Sequence, residues 1–284
     1  MAHPSPRFET EGVRLFQGDC LEILGELPEE SFDLVFADPP YMLSNDGFTC
    51  KNGRAASVNK GEWDRSRGVE EDYRFHTKWL SACRRVLRPG GTLWVSGTYH
   101  SIYACGHALQ ALGYHILNEI VWYKPNASPN LSCRMFTASH ETLIWARRDK
   151  KAKHYFDYHA MTKGHFPKDW MKEPGKQMRS VWAIPTTPAE EKALGSHPTQ
   201  KPLALLDRII RASCPEGGVV LDPFSGSGTT LLAAVRSRRQ AVGIELESEF
   251  ISLSIERLSA AEISGPPLFD DSGLPKEPTW TQSE

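Results

Sequence analysis

The stretch "VVLDPFSGSGTTLLAA" runs from Val219 to Ala234, and its order of residue types decides the fold. Val219–Leu221 is a short apolar run of strand character, and Asp222-Pro223 ends it because proline has no backbone N–H to pair. Gly226 and Gly228 then lead into a helical apolar pattern. Strand, glycine turn and helix form a crossover unit of a parallel sheet, and glycines at such a turn let a ligand approach the backbone closely. Glu245 ends the next predicted strand, Ala241–Ile244, close to the spacing of about twenty residues at which an acid reaches a ribose diol. Leu231 replaces the last glycine of Gly-x-Gly-x-x-Gly, and no Gly-Lys-Ser/Thr follows. A nucleoside ligand therefore fits better than a phosphate. Taken singly, the glycines suit a tight turn and Glu245 a helix-start acid.

A matching pattern lies near the amino terminus, where "FDLVFADPPY" (Phe32–Tyr41) ends an apolar strand in an acid, two prolines and a tyrosine. Val13–Gln17 and Phe32–Ala37 are predicted strands around a helix at 21–27, a β-α-β opening. Helical spacing covers Val69–Leu87, and Arg-Pro-Gly-Gly stops it before the strand "TLWVSG". Tyr99–Leu112 is a further predicted helix, "YHILNEIVWY" and "ETLIWARR" are extended, and Gln200–Ala212 is helical, with a last helix after Glu245. Ser44–Arg67 is polar and reads as a mobile loop. Periodicity fades after Arg148, where basic, aromatic and histidine residues dominate up to Ser196. Residues 1–124 and 196–264 are thus two halves of one catalytic domain around an insert, 125–195, with a poorly ordered Pro-rich acidic tail at 265–284.

A chain of 284 residues, 40% hydrophobic and 24% charged, buries a sizeable core. Its net charge of −2 carries no global nucleic-acid signature, but Arg147–Arg179 holds ten basic residues against four acidic ones. On charge alone such a run is most simply a solvated face. The six cysteines show no Cys-x-x-Cys pair and no zinc-ligand spacing, so no metal is expected. The amino terminus has no signal-peptide core and no run approaches the eighteen or so apolar residues of a membrane span, so a cytoplasmic protein without membrane contact is expected.

These motifs together resemble the S-adenosylmethionine-dependent DNA amino-methyltransferases of the permuted, beta-type order, over roughly residues 13 to 260. "DPPY" (Asp38, Pro39, Pro40, Tyr41) is similar to the family's catalytic motif, "HPTQKP" (His197–Pro202) to a helix beside the cofactor, and "DPFSGSG" (Asp222–Gly228) to the methionine-binding loop. The loop after Tyr41 resembles that of adenine-modifying members of restriction–modification systems. The resemblance implies an α/β, Rossmann-like methyltransferase fold: a seven-stranded, mostly parallel sheet with circularly permuted motifs, in which the strands ending at Asp38 and Asp222 are neighbours. It also implies cofactor contacts from Asp222, Phe224, Gly226 and Gly228, ribose contact from Glu245, and a place near the cofactor adenine for Asp19, which helix capping explains nearly as well. Thr199 and Lys201 are expected to reach the cofactor carboxylate. Trp122 and Tyr123 are expected to line the base pocket with Tyr41, although a core tryptophan accounts for Trp122 equally well.

Such a family implies double-stranded DNA as partner, a homodimer, and a cognate restriction endonuclease. The insert takes the place of a target-recognition region, with Lys51, Arg54, Lys60, Lys163, Lys168 and Lys172 as candidate DNA contacts. Chemically, the lone pair of an aromatic amine is delocalised, and acceptors at Asp38 and the Pro39 carbonyl localise it on nitrogen while Tyr41 stacks on the extruded base. The sole Cys–Pro adjacency, Cys214-Pro215, is in the reverse order from that of carbon-methylating enzymes. Adenine N6 is the expected target. The alternatives are N4 of cytosine, whose enzymes more often carry Ser at the Asp38 position, a protein glutamine amide, and a DNA-binding module without catalysis.

Overall fold

A computed structural model describes residues 5–44, 48–51, 54–57 and 59–261, with backbone alone for 48–51 and 54–56. Strands and helices follow in chain order as β1 (Phe8–Thr10), β2 (Val13–Gln17), α1 (Cys20–Glu26), β3 (Phe32–Ala37), β4 (Phe48–Lys51), β5 (Arg54–Ser57), α2 (Val69–Val86), β6 (Leu87–Gly97), α3 (Ile102–Ala111), β7 (His115–Tyr123), β8 (His140–Arg147), α4 (Tyr158–Lys163), β9 (Val181–Ala183), α5 (Leu203–Ser213), β10 (Val219–Asp222), α6 (Thr229–Arg236), β11 (Gln240–Glu245) and α7 (Ser248–Ala260).

β3 and β10 are buried at every residue, the signature of strands covered on both faces. They lie side by side and parallel, with Val220 opposite Leu34 and Leu221 opposite Val35. Asp33 fastens this junction. Its carboxylate accepts from the Val219 N–H at 2.8 Å and from Arg88 at 2.6 and 2.7 Å, tying β3 to β10 and to the start of β6. The full sheet has nine strands in the order β1-β2-β11-β10-β3-β6-β8-β7-β9, with β8 antiparallel to both neighbours. The seven expected strands form its middle; short β1 and β9 extend its two edges.

The crossover helices lie on opposite faces. Trp79, Leu80, Cys83 and Val86 of α2 join one core cluster, and Leu231, Leu232, Ala233 and Ala234 of α6 join the other. The winding of the sheet therefore reverses between parallel β3 and β10, and the crevice beyond their carboxyl ends is where open α/β sheets bind ligands.

Several sequence expectations need adjustment. Arg88–Gly91 continue β6 instead of separating it from α2. The segment expected to be a loop holds the hairpin β4–β5 and a single 3-10 turn, Glu62–Asp64. The range 125–195 supplies β8 and β9 to the main sheet, and the stretch between them is clamped to α5. There the buried Arg208 guanidinium bonds Asp169 at 2.5 Å and lies over the Phe166 and Trp182 rings at 4.7 and 4.9 Å. The tail at 265–284 lies outside the described residues.

Candidate active site

Beyond β3 and β10 opens a cavity of about 240 Å³, walled by Asp38–Tyr41 on one side and by Asp222–Ser227 on the other. The glycine loop is shaped by close approach. Gly226 (φ +50°) passes so near His197 that a Cβ would lie 3.4 Å from the imidazole, and Gly228 (φ +73°) would set one 3.0 Å from the Ser254 hydroxyl. Glu245 braces the same loop, accepting from the Gly226 N–H at 2.8 Å with one oxygen and from the Glu247 N–H at 2.8 Å with the other. Burial pushes its carboxyl up. Phe224 faces the cavity and packs edge-on against Trp79, with ring centroids 5.4 Å apart. Asp222 caps the turn, accepting from the Phe224 N–H at 2.9 Å, and burial lifts its carboxyl to about 7.

Asp19, Thr199 and Lys201 also line the cavity. Asp19 caps α1 through the N–H groups of Leu21 and Glu22, at 2.7 and 3.3 Å, so both readings of it meet in one residue. The His197 ring accepts from the Thr199 N–H at 3.2 Å, and burial lowers that imidazole to about 3, leaving it neutral. Cys20 lines the cavity too, but burial and then Asp19 push its thiol up to about 12, which leaves no thiolate nucleophile there.

At the catalytic motif the side chains converge. The Tyr41 hydroxyl donates to Asp38 Oδ1 at 2.6 Å and lies 3.0 Å from both Ser96 Oγ and Glu141 Oε2. Lys201 Nζ pairs with Asp38 Oδ2 and sits 3.6 Å from Glu141, while Lys124 pairs with the other Glu141 oxygen. Lys201 thus meets Asp38 in this structure while also lining the cavity. The two buried carboxyls differ. Burial raises Glu141, but Lys201 and Lys124 outweigh it and hold this group below the usual range. Asp38, raised by burial and by the nearby Glu141 charge, pairs with Lys201 and stays above that range.

Glu141 and Ser96 were not among the residues singled out from sequence, whereas Lys124 lies in the stretch "VWYKPN", whose resemblance to a base-pocket motif rests on Trp122, Tyr123 and Lys124 and gave no hint of its pairing with Glu141. Their signal was faint: a carboxylate opening an otherwise apolar strand, and a lysine closing one. Antiparallel β8 brings its first residues to the carboxyl end of β6, where Thr142 faces Gly97, and that register is invisible in the chain.

Trp122 corrects its expectation. It is 2% exposed, its indole N–H donates to the Ile184 carbonyl at 2.8 Å, and it does not line the cavity. β9 covers it, with Trp182 paired opposite, and this makes it core. Tyr123 stays partly exposed and also stands away from the cavity. Among the proposed DNA contacts, Lys60 lies on the cavity wall with Nζ 5.6 Å from the Tyr41 ring centre. Lys172 donates to three backbone carbonyls, those of Thr162, Glu173 and Lys176, and so holds its own loop together. Lys163 and Lys168 are exposed; the side chains of Lys51 and Arg54 lie outside the described residues.

One further carboxylate, Asp64, is 1% exposed and accepts from the backbone N–H groups of Tyr41, Met42 and Leu43 at 2.8, 2.9 and 3.2 Å, and from the Ser44 hydroxyl at 3.0 Å. Met42 takes a left-handed φ of +58° to allow this, a conformation that costs a non-glycine residue about 1–2 kcal/mol.

Residues 32–256 match the family described as DNA methylase. The chain is 46% identical over 258 residues to the type II methyltransferase M2.DpnII of Streptococcus pneumoniae, covering 90% of this chain and 92% of that one. The structure of PvuII DNA methyltransferase, titled cytosine-N4-specific, matches with a TM-score of 0.70 at 21% identity over 92% of this chain and 91% of that one, a likeness of fold alone. TTHA0409 of Thermus thermophilus, a putative DNA modification methylase complexed with S-adenosyl-L-methionine, matches with a TM-score of 0.57 at 25% identity, over 86% of this chain and 94% of that one. The chain is a DNA methyltransferase and belongs to the DNA methylase family.

Proposed function

We propose that this protein moves a methyl group from S-adenosylmethionine to the N6 amine of an adenine extruded from duplex DNA, as the modification enzyme of a restriction–modification system. One observation carries the reading: the Asp38–Tyr41 cluster and the glycine loop at Gly226 wall one cavity at the switch point of the sheet. The fit to the cofactor rests on that loop, where Gly226 and Gly228 hold left-handed backbone that a side chain would strain and Phe224 offers an aromatic wall. When bound, the sulfonium compound supplies an electrophilic methyl group.

Phe224, Gly226 and Gly228 hold its methionine part, Glu245 its ribose and Asp19 its adenine side, with Asp222 and Thr199 completing the wall. Asp38 and the Pro39 carbonyl accept hydrogen bonds from the target amine and concentrate its lone pair on nitrogen, while Pro40 keeps the chain extended. Tyr41 keeps Asp38 oriented through its hydroxyl and offers its ring to the base. The Lys201 and Lys124 ammonium groups, with Glu141, hold this buried cluster together.

Exposed Lys163 and Lys168 in the 148–180 stretch meet phosphates, so DNA affinity falls steeply with added salt. On the resemblance to beta-type enzymes, two copies pair and a cognate endonuclease cuts the same sequence; the setting is cytoplasmic. No helix among the described residues is long and apolar enough to cross a membrane. Mass spectrometry of nucleosides from DNA treated with the protein and labelled donor tests the target. N6-methyladenine is the expected product; N4-methylcytosine, or label in polypeptide, overturns the reading.

A further inference from the structure

We propose that Asp64 is a positioning residue for methyl transfer, acting through the backbone that follows the Asp-Pro-Pro-Tyr motif. The inference rests on the catalytic reading of Asp38 given above. Asp38 and Tyr41 are joined side chain to side chain at 2.6 Å, so the aim of the carboxylate depends on where the chain carries the Tyr41 Cα. That chain has just passed two prolines, which supply no N–H to pin it. The first three N–H groups after them, on Tyr41, Met42 and Leu43, all point at Asp64. A left-handed residue is one way to turn successive amides onto a single anion, and Met42 takes that conformation with φ +58°.

The donors account for burial of the charge. Three amides and the Ser44 hydroxyl surround the two oxygens, which is how a carboxylate is satisfied away from water without depending on a counter-ion. Ser44 also closes the neck of the excursion that follows. Its N–H donates to the Asp64 carbonyl at 3.1 Å, and its hydroxyl oxygen accepts from the Lys60 N–H at 2.9 Å. Chain leaving the motif and chain returning are therefore gripped at one point.

The neighbouring Trp63 gives this grip a second contact. It lines the cavity and stacks at 6.1 Å on His197, the ring against which Gly226 packs. Two adjacent residues of the returning chain thus touch both halves of the site, Asp64 the base side and Trp63 the donor side. Loss of the Asp64 charge disturbs the first and leaves the second in place.

Asp64→Asn in the full-length protein separates these roles. The amide keeps the shape but turns N–H groups toward donors. We expect kcat at saturating DNA and donor to fall at least tenfold, with the dissociation constant for S-adenosylmethionine by calorimetry within twofold of wild type and an unchanged far-ultraviolet spectrum. A kcat within twofold of wild type overturns the proposal, as does a loss of donor affinity equal to the loss in kcat. Should the variant not fold, Ser44→Ala decides: it removes one donor of four, and a kcat lowered about threefold at unchanged donor affinity supports the proposal while an unchanged kcat overturns it. Asp38→Ala runs alongside. If it turns over like wild type, the catalytic reading has failed; if it is inactive while Asp64→Asn is fully active, only the role of Asp64 has.

Discussion

Two buried carboxyls stand within one hydrogen-bond network here, and their unequal counter-ions assign them different work. Glu141 faces two ammonium groups and keeps its charge at all moderate pH values, so it serves as a fixed anchor for Tyr41 and Lys201. Asp38 is raised by burial first and then by Glu141, so protonation reaches it above the ordinary carboxylate range near 4. Only the ionised form accepts both amine and tyrosine hydrogen bonds, and kcat should fall on the acid side as pH drops through that raised value. Neutralising the like charge in Glu141→Gln lowers the Asp38 value and moves the acid limb to lower pH. The plateau of kcat should also drop about tenfold, or about 1.4 kcal/mol of barrier, as the anchor loosens. A pH–kcat profile checks both, and an unmoved limb would show that Glu141 does not act on Asp38 electrostatically. Asp38–Tyr41 and Asp222–Gly228 were legible because each is one contiguous run whose prolines and glycines have a local physical reason. Glu141 was not, because its partners Tyr41, Ser96, Lys124 and Lys201 lie beyond β3, in β6, just after β7 and just ahead of α5, and only the register of β8 gathers them.

Element by element, legibility tracked burial on both faces. β3, β10 and β11 are mostly apolar runs and α2 has a clear apolar stripe, so their existence followed from the sequence pattern. β9 has three residues, too few to carry a period, and its place beside β7 comes from Trp182 packing against Trp94 at 5.8 Å. Its basic surroundings suggested a separate insert, whereas Asp169 and Arg208 bind that stretch to the core. Arg208 is 2% exposed, and Asp169 additionally accepts from the Met171 and Ala183 N–H groups at 2.9 and 3.2 Å. Asp169→Ala leaves a buried guanidinium without its counter-charge and should destabilise the protein by about 3–5 kcal/mol in urea unfolding. A change below about 1 kcal/mol would mean the pair is solvated and the stretch only loosely attached.

For the molecule as a whole, permutation changes the order of the motifs and keeps their meeting place. β3 near the start and β10 near the end pair directly, and Asp33 fastens them, so the two halves of the site are held by the most buried part of the sheet. Binding chemistry at that place works against stability. Burial raises Asp222 to about 7 in the folded chain against about 4 unfolded, so the stabilising contribution of its protonated form is complete below pH 4 and lost as pH rises to 7. Asp222→Asn removes this dependence. The ligand-free variant should be more stable than wild type at pH 8, by up to roughly 4 kcal/mol, and the advantage should vanish near pH 4, as urea titrations at the two values would show. A pH-independent difference would refute the assignment.

The central claim is that the chain carries two separable half-sites, a methyl-accepting one at Asp38 and a donor-holding one at Phe224. A paired measurement on full-length Asp38→Ala and Phe224→Ala, recording S-adenosylmethionine affinity by calorimetry and single-turnover methyl transfer to DNA, tests it most directly. The account predicts that Asp38→Ala binds the donor as wild type does and transfers no methyl, and that Phe224→Ala binds it at least tenfold more weakly yet still transfers at saturation. Methyl transfer by Asp38→Ala, or undiminished donor binding by Phe224→Ala, would contradict it.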